Sequence, residues 1–228
     1  MTQAELAAMI DRLAEDSSGR LTPDDRTSAL AAAVRRYSQD RPRVIVADLA
    51  IIDGGLDLPG GWEQDSAALS LEHPIGQRPP SSLPNEAWYA YQGPGGDRIM
   101  FAQGWGGSDN DLARLTYTVG HVCDDNDCTL PDKHLEAVAS WGAALLCEAL
   151  ASYYSGNSDS TIQADRVDYN NPSRNFAKRA EALRDRYFKE IGVDPRRNVA
   201  AGAVATPVPR DSRGRLRLTH PPTTAAGR

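Results

Sequence analysis

The sequence predicts an α+β fold: a four-helix bundle scaffold, a β-rich insertion between helices 2 and 3, and an extended C-terminal arm. Apolar residues recur at helical spacing on both sides of a central segment, and that segment carries short β-type runs separated by turn signals. Both patterns stop after Asp194. The predicted parts are residues 1–42 with 129–194 for the helical bundle domain, 43–128 for the insertion and 195–228 for the arm.

The first 42 residues predict two helices. Thr2 and Glu5 match a capping box at the start of the first helix. Thr22 followed by Pro23 matches the start of the second, because threonine caps a helix and proline is accepted in its first turn. Pro42 ends the second helix, since proline lacks the amide hydrogen that a helix interior needs.

Residues 43–128 have the character of strands. Short runs rich in β-branched and aromatic residues alternate with turns rich in glycine and proline. These runs are 44–46, 68–71, 87–91, 98–101 and 115–119. The turn 93–97 joins two adjacent runs as a predicted hairpin.

Two further helices are predicted after residue 129. The run 134–154 is apolar on all sides, which is typical of a helix buried in its own core or between subunits. The last helix begins near Pro172 and ends at Gly192, with one apolar stripe and a charged outer face. No long heptad array or uniformly apolar surface strand is evident, so the free chain is predicted to be monomeric or weakly associated.

The charge is divided between the body and the arm. Residues 195–228 hold seven arginines and one aspartate, a formal charge of +6, so that the other residues carry −12 of the net −6. A segment of this composition is not expected to fold alone. Within it, cationic and apolar side chains alternate with period two, as an added strand requires. The predicted partner-binding residues are Arg210, Arg213, Arg215, Leu216, Arg217 and Leu218.

Composition argues against several classes of protein. A pI near 5.2 disfavours a general nucleic-acid or membrane-surface binder, since either needs a basic face. The polar, acidic N-terminus predicts neither a signal peptide nor a transmembrane segment. An odd number of cysteines, three, favours a reducing compartment such as the cytoplasm.

One cluster leaves a metal site open as an alternative. His121, Cys123, Cys128 and His134 are zinc-ligand types within fourteen residues, although their spacing is poor for one tetrahedral ion. The favoured interpretation is an acidic loop that leads into a helix N-terminus, with no cofactor bound. Since no catalytic motif is present either, the chain is predicted not to be an enzyme, and a metal protein or enzyme built around 121–134 is the alternative.

Taken in order, these segments resemble the head-to-tail adaptor proteins, also called head-completion or neck connector proteins, of long-tailed bacteriophages. The resemblance covers roughly residues 22–192 and is strongest in the loop 158–169 and the helix that follows it. The segments that carry it are Arg43–Asp48, Leu115–His121, Glu136–Cys147, Ser158–Ile162, Val167–Tyr169 and Phe176–Arg184. The insertion between Cys123 and Cys128 departs from the family pattern.

The resemblance implies a structural virion protein without catalysis. Adaptors of this family form a ring, usually of twelve copies, beneath the portal protein. The ring extends the DNA channel, so that double-stranded DNA passes through without specific binding, and it docks the next neck or tail-completion protein. The expected location is the virion neck, after assembly in the cytoplasm of the host bacterium, and no membrane partner is implied.

Overall fold

The computed structural model describes residues 2–16, 19–156 and 172–195. Four helices are present: α1 (Gln3–Ala14), α2 (Pro23–Asp40), α3 (Leu135–Gly156) and α4 (Pro172–Ile191). Six strands lie between α2 and α3: β1 (Arg43–Ile52), β2 (Gly55–Asp57), β3 (Ala68–Glu72), β4 (Trp88–Gly93), β5 (Gly96–Phe101) and β6 (Leu112–Val119). Single 3₁₀ turns occur at Asn85–Ala87 and Asp132–His134.

Both predicted helix starts are confirmed. The Thr2 hydroxyl accepts a hydrogen bond from the Glu5 amide while the Glu5 carboxylate accepts one from the Thr2 amide. Thr22 and Asp25 make the same reciprocal pair at the start of α2. Each pair satisfies amides that would otherwise lack a helical partner.

Helix α3 is the centre of the helical part, because α1, α2 and α4 all pack against it. Four of its alanines are fully buried against these neighbours: Ala137, Ala139, Ala143 and Ala144. At Gly142 an added Cβ would lie 2.7 Å from Ile10 Cδ1, so a larger residue there would require the Ile10 side chain to move. The apolar helix is therefore buried within its own chain. Its small residues serve contacts with the other helices of the same chain.

Length and composition alone would also allow this helix to cross a membrane. The segment Asp132–Gly156 has a mean hydropathy of 1.3, yet 67% of the apolar window is buried inside the fold. The core helix of a soluble protein has the same properties.

The predicted four-helix bundle with a β-rich insertion is wrong. The protein is an α+β fold. The helices form one part of it, and one six-stranded antiparallel sheet, in the order β3-β6-β1-β2-β5-β4, forms the other. This sheet has its own hydrophobic core, separate from the helical core. The helices are also not packed around one common axis as in a four-helix bundle. Instead, the other three helices each pack against α3. The domain division predicted from the sequence stays a prediction.

The sheet is held together by its two longest strands. Strands β1 and β6 pair over eight successive residues, from Arg43 with Val119 to Ala50 with Leu112. The predicted hairpin between β4 and β5 is confirmed. The three-residue strand β2 was not predicted, although Asp53-Gly54, both with positive φ, form the tight turn that precedes it.

The inner face of the sheet is covered by loops of the β region itself. Leu71, Ile99 and Leu115 are fully buried there. Trp62, from the loop after β2, stacks on Tyr117 with ring centroids 5.5 Å apart. Because these loops close only one side of the sheet, its other side remains open.

Candidate interaction surface

The open side of the sheet is defined by the β1–β6 register. Directly paired residues of antiparallel strands point to the same side, and successive residues alternate between sides. Val44 pairs with Thr118 and Val46 with Thr116, so the even-numbered residues of β1 point away from the core. We call this side the outer face.

Exposed apolar side chains are concentrated on the outer face. Nine large hydrophobic residues are exposed in the described part of the chain, and the strand pairings place six of them on this face. The six are Val44, Val46, Ile52, Tyr89, Tyr91 and Leu112. Scattered apolar side chains are normal on a monomer, whereas a contiguous apolar group is typical of an interaction site.

An ion-pair cluster lies in the middle of the outer face. The Arg114 guanidinium donates two hydrogen bonds to Asp48, at 2.7 and 2.9 Å, and lies 3.7 Å from Glu72. These hydrogen bonds hold the pKa of Asp48 below its usual value. The outer face therefore has apolar ends and a polar centre, and a partner must match both.

The sequence of β1 contains a pattern that could have predicted an apolar outer face. Strand β1 reads Arg-Val-Ile-Val-Ala-Asp-Leu-Ala-Ile-Ile, in which all odd and even positions except Arg43 and Asp48 are apolar. In an antiparallel sheet such a run indicates that both sides meet apolar groups. Val44 and Val46 are 54% and 55% exposed, whereas Asp48 interrupts the outward side of β1, so this side is apolar in part and not uniformly. The monomeric or weakly associated state of the free chain stays a prediction.

A second surface feature is a cleft of about 890 Å³ between α2 and the adjoining end of the sheet. Its floor is apolar and its rim is partly acidic. The floor residues are Leu30, Val34, Leu69 and Val119, and the acidic rim residues are Glu63 and Asp65. Arg35 also lines it, from the α2 side. We call this feature the cleft.

His121 fixes one wall of the cleft. Its Nε2 lies 3.0 Å from the Arg41 carbonyl oxygen, and its Nδ1 lies 3.2 Å from the Thr129 hydroxyl. Its backbone amide donates to the Ser38 hydroxyl of α2 at 2.8 Å. Burial lowers the pKa of this imidazole. His121 thus ties the end of the sheet to α2.

The four residues of the metal alternative are not arranged around one ion. Both nitrogens of His121 already face protein oxygens, and His134 Nδ1 lies 2.6 Å from the Tyr37 hydroxyl oxygen, within hydrogen-bond distance. Among the residues that the structure describes, no group of three or more His, Cys, Asp or Glu could hold a metal. This donor set does not fit a zinc site.

Cys123 and Cys128 instead face each other as an isolated antiparallel pair. Paired positions have Cα atoms about 4.5–5.5 Å apart, within the range that a disulfide spans. Burial, followed by a hydrogen bond with Cys128, raises the pKa of Cys123 to about 12. The two thiols are thus placed to form a disulfide, with Cys123 a poor thiolate at neutral pH.

We expect glutathione disulfide to join Cys123 to Cys128. Each thiol loses its proton, the pair becomes one disulfide, and the glutathione disulfide is reduced to two glutathione thiols. Peptide mass spectrometry should show the 123–128 peptide lighter by two hydrogen atoms, while the buried Cys147 stays reduced. In Cys123→Ser the product should be a mixed disulfide at Cys128. A wild-type protein that gives only mixed disulfides would contradict the pairing.

A pH dependence follows from the buried histidines. Burial lowers the pKa of both His134 and His121, so below pH ~6.5 the unfolded chain binds protons that the folded chain does not. Stability present above that pH is therefore lost as the pH falls. We expect the melting temperature to decline from pH 7.5 to 5.5, because the free energy of unfolding falls by up to about 1.4 kcal/mol per histidine for each pH unit below ~6.5. His121→Gln/His134→Gln should flatten the slope, and an equal slope would refute this explanation.

Two sequence-predicted elements fall outside the described residues. These are the arm residues Arg210, Arg213, Arg215, Leu216, Arg217 and Leu218, and the loop 158–169 that carries the strongest part of the family resemblance. The described chain ends at Pro195, shortly after α4.

Among the comparisons with known proteins, only the comparison with solved structures gives matches. No protein-family model matches the chain, and no curated protein matches it. Four chains of solved structures do match. One is described as "Virion of native gene transfer agent (GTA) particle"; it is 18% identical, with 80% of this chain and 87% of that chain covered and a TM-score of 0.25. The chain is thus similar, at a low level, to one chain of a virion.

Proposed function

We propose that this chain is a structural protein of a tailed-phage virion, namely a head-to-tail adaptor in the virion neck. It forms a ring of twelve copies under the portal, extends the DNA channel and docks the next neck or tail component. The observation that carries the proposal is the outer face, whose apolar ends would be covered by a neighbouring copy. The order of helices and strands along the chain, which resembles the adaptor family, supplies the ring and the portal as context.

The arrangement of the molecule supports a ring rather than a symmetric pair. A ring arises when one surface of a subunit contacts a different surface of the next copy. The outer face lies on the sheet, and the charged side of α4, with Arg174, Lys178 and Arg186, lies on the helical part. A subunit with two such unlike surfaces suits head-to-tail contacts between copies.

The charge of the body supports a DNA channel without DNA binding. Outside the arm the chain carries a formal −12, and binding to phosphates would require neutralising cations. A negatively charged wall allows DNA to slide. No catalytic role or cofactor is part of the proposal, and no observation favours the metal alternative.

The test is assembly on a portal. Purified chain is mixed with DNA-free portal rings of a candidate phage and observed by electron microscopy and light scattering. The expected result is an added ring with about the mass of twelve copies on one end of the portal. Soluble, folded chain that binds none of the portals of its own host range, at micromolar concentration, would contradict the adaptor role.

Removal of the arm is expected to abolish portal binding. The proposal assigns the portal contact to the residues from Arg210 to Leu218, where arginines face carboxylates and leucines face an apolar groove. A chain truncated after Asp194 keeps both hydrophobic cores, so its melting temperature should stay close to that of the full chain. Undiminished binding of the truncated chain to DNA-free portal rings would show that another element makes the contact.

A further inference from the structure

The cleft between α2 and the sheet has a shape and charge that fit a segment of this chain. Its floor is formed by apolar side chains, of which Leu30 and Val34 are 4% and 8% exposed. Glu63 and Asp65 stand exposed on its rim. An occupant with apolar side chains on one side and cations on the other would match the floor and the rim together.

The described chain ends beside this cleft. At the end of α4 the Ile191 carbonyl oxygen accepts hydrogen bonds from the Arg41 guanidinium, with Nε at 3.0 Å. Pro42, which follows Arg41 in the chain, lines the cleft. The Arg41 carbonyl oxygen faces the His121 side chain on the wall of the cleft. The arm therefore begins a few residues from the mouth of the cleft.

We propose that in the free protein the segment Arg213–Leu218 of the chain's own arm occupies the cleft. In an extended segment Leu216 and Leu218 point to one side and the three arginines to the other, so leucines meet the floor and arginines meet the acidic rim. The 17 residues between Pro195 and Arg213 allow a reach of up to ~60 Å, so length is no obstacle. Contact within one chain also needs no association step.

The charges of the whole chain favour this contact over an empty cleft. The arm carries +6 and the remainder −12, so the attraction extends beyond the rim carboxylates. The Arg35 guanidinium would repel the arginines of the segment locally. It belongs to α2, however, and not to the 63–65 loop that carries the rim carboxylates. The inference concerns the free chain and does not rest on the adaptor function; if that function holds, the portal competes with the cleft for the same segment.

The test is hydrogen exchange on the full chain, observed at the backbone amides of residues 63–67. Glu63, Asp65 and Ala67 of this stretch line the cleft, and the whole stretch lies outside any helix or strand. The amides of Glu63, Ser66 and Ala67 already donate hydrogen bonds within the fold, so the amides of Gln64 and Asp65 are the main reporters. Reversing the segment's charge with Arg213→Asp/Arg215→Asp/Arg217→Asp should speed their exchange about three- to tenfold, since several partly exposed charge contacts are lost. The matched control, Arg196→Asp/Arg197→Asp/Arg228→Asp, changes the net charge of the arm equally but leaves the segment intact, so it should speed the exchange clearly less than the segment variant does.

A reciprocal change tests the cleft side. Asp65→Lys in the rim should speed exchange at the same amides, and it should be partly rescued by Arg215→Asp. Asp97→Lys, on the exposed β4–β5 hairpin, is its control and should have no effect. The protection should not depend on protein concentration. Equal exchange in the wild type and the segment variant, or protection that grows with concentration, would overturn the proposal, whatever the result with portal rings.

Discussion

Leu146→Asp is expected to unfold the protein. Leu146 is 1% exposed on α3, which is enclosed by the other three helices. The change removes packing worth about 2–5 kcal/mol and buries a carboxylate without a partner, at a cost of several kcal/mol more. The sum approaches or exceeds the ~5–15 kcal/mol by which a typical domain is stable. Circular dichroism and gel filtration should show loss of helix and of a discrete elution peak.

The same substitution on the sheet provides the control. Leu112 is 53% exposed on the outer face, so Leu112→Asp should change the free energy of unfolding by no more than ~0.5 kcal/mol. A soluble Leu146→Asp protein that melts cooperatively near the wild-type temperature would contradict the central position of α3. Unfolding of Leu112→Asp would show that the outer face is part of a core.

Val46→Asp/Leu112→Asp is expected to prevent ring assembly while leaving the subunit folded. If the outer face is covered by a neighbouring copy, burying each side chain contributes roughly 1.5–3 kcal/mol to the contact. Losing two of them, with two carboxylates to desolvate, weakens each contact between subunits by on the order of 100-fold. Electron microscopy of mixtures with portal rings should then show portals without a closed ring of added subunits, although single copies can still bind through the arm.

An exposed valine elsewhere serves as the matched control. Val122 is 46% exposed but lies in the loop after β6, away from the outer face. Val122→Asp should leave ring assembly unchanged. If Val46→Asp/Leu112→Asp assembles as well as the wild type, the outer face does not contact other copies and the ring must use another surface.

The sequence specified much of the local structure. The capping residues Thr2 and Thr22 define the starts of α1 and α2, and Gly192 follows directly on the end of α4. The all-round apolar run of α3 indicated a buried helix. These predictions succeeded because capping, helix-breaking and periodicity depend on residues within one or two turns of each other.

The arrangement of those elements was not predicted. A bundle with an insertion was expected because amphipathic helices on both sides of the β segment need one another. The sheet, however, builds its own core from β1, β6 and the loop that carries Trp62, residues far apart in sequence. Strand β2 was missed since three residues are too few to show a period.

The candidate sites were decided almost entirely by tertiary structure. Composition by itself determined the charge contrast between body and arm, and it brought His121, Cys123, Cys128 and His134 together as a possible metal cluster. The fold pairs Cys123 with Cys128 and places both histidine side chains against protein oxygens, so that the four do not surround one ion. Likewise, the apolar run of β1 was visible in the sequence. Which side of this strand is exposed depends on the position of the loops that cover the sheet, and long-range packing sets that position.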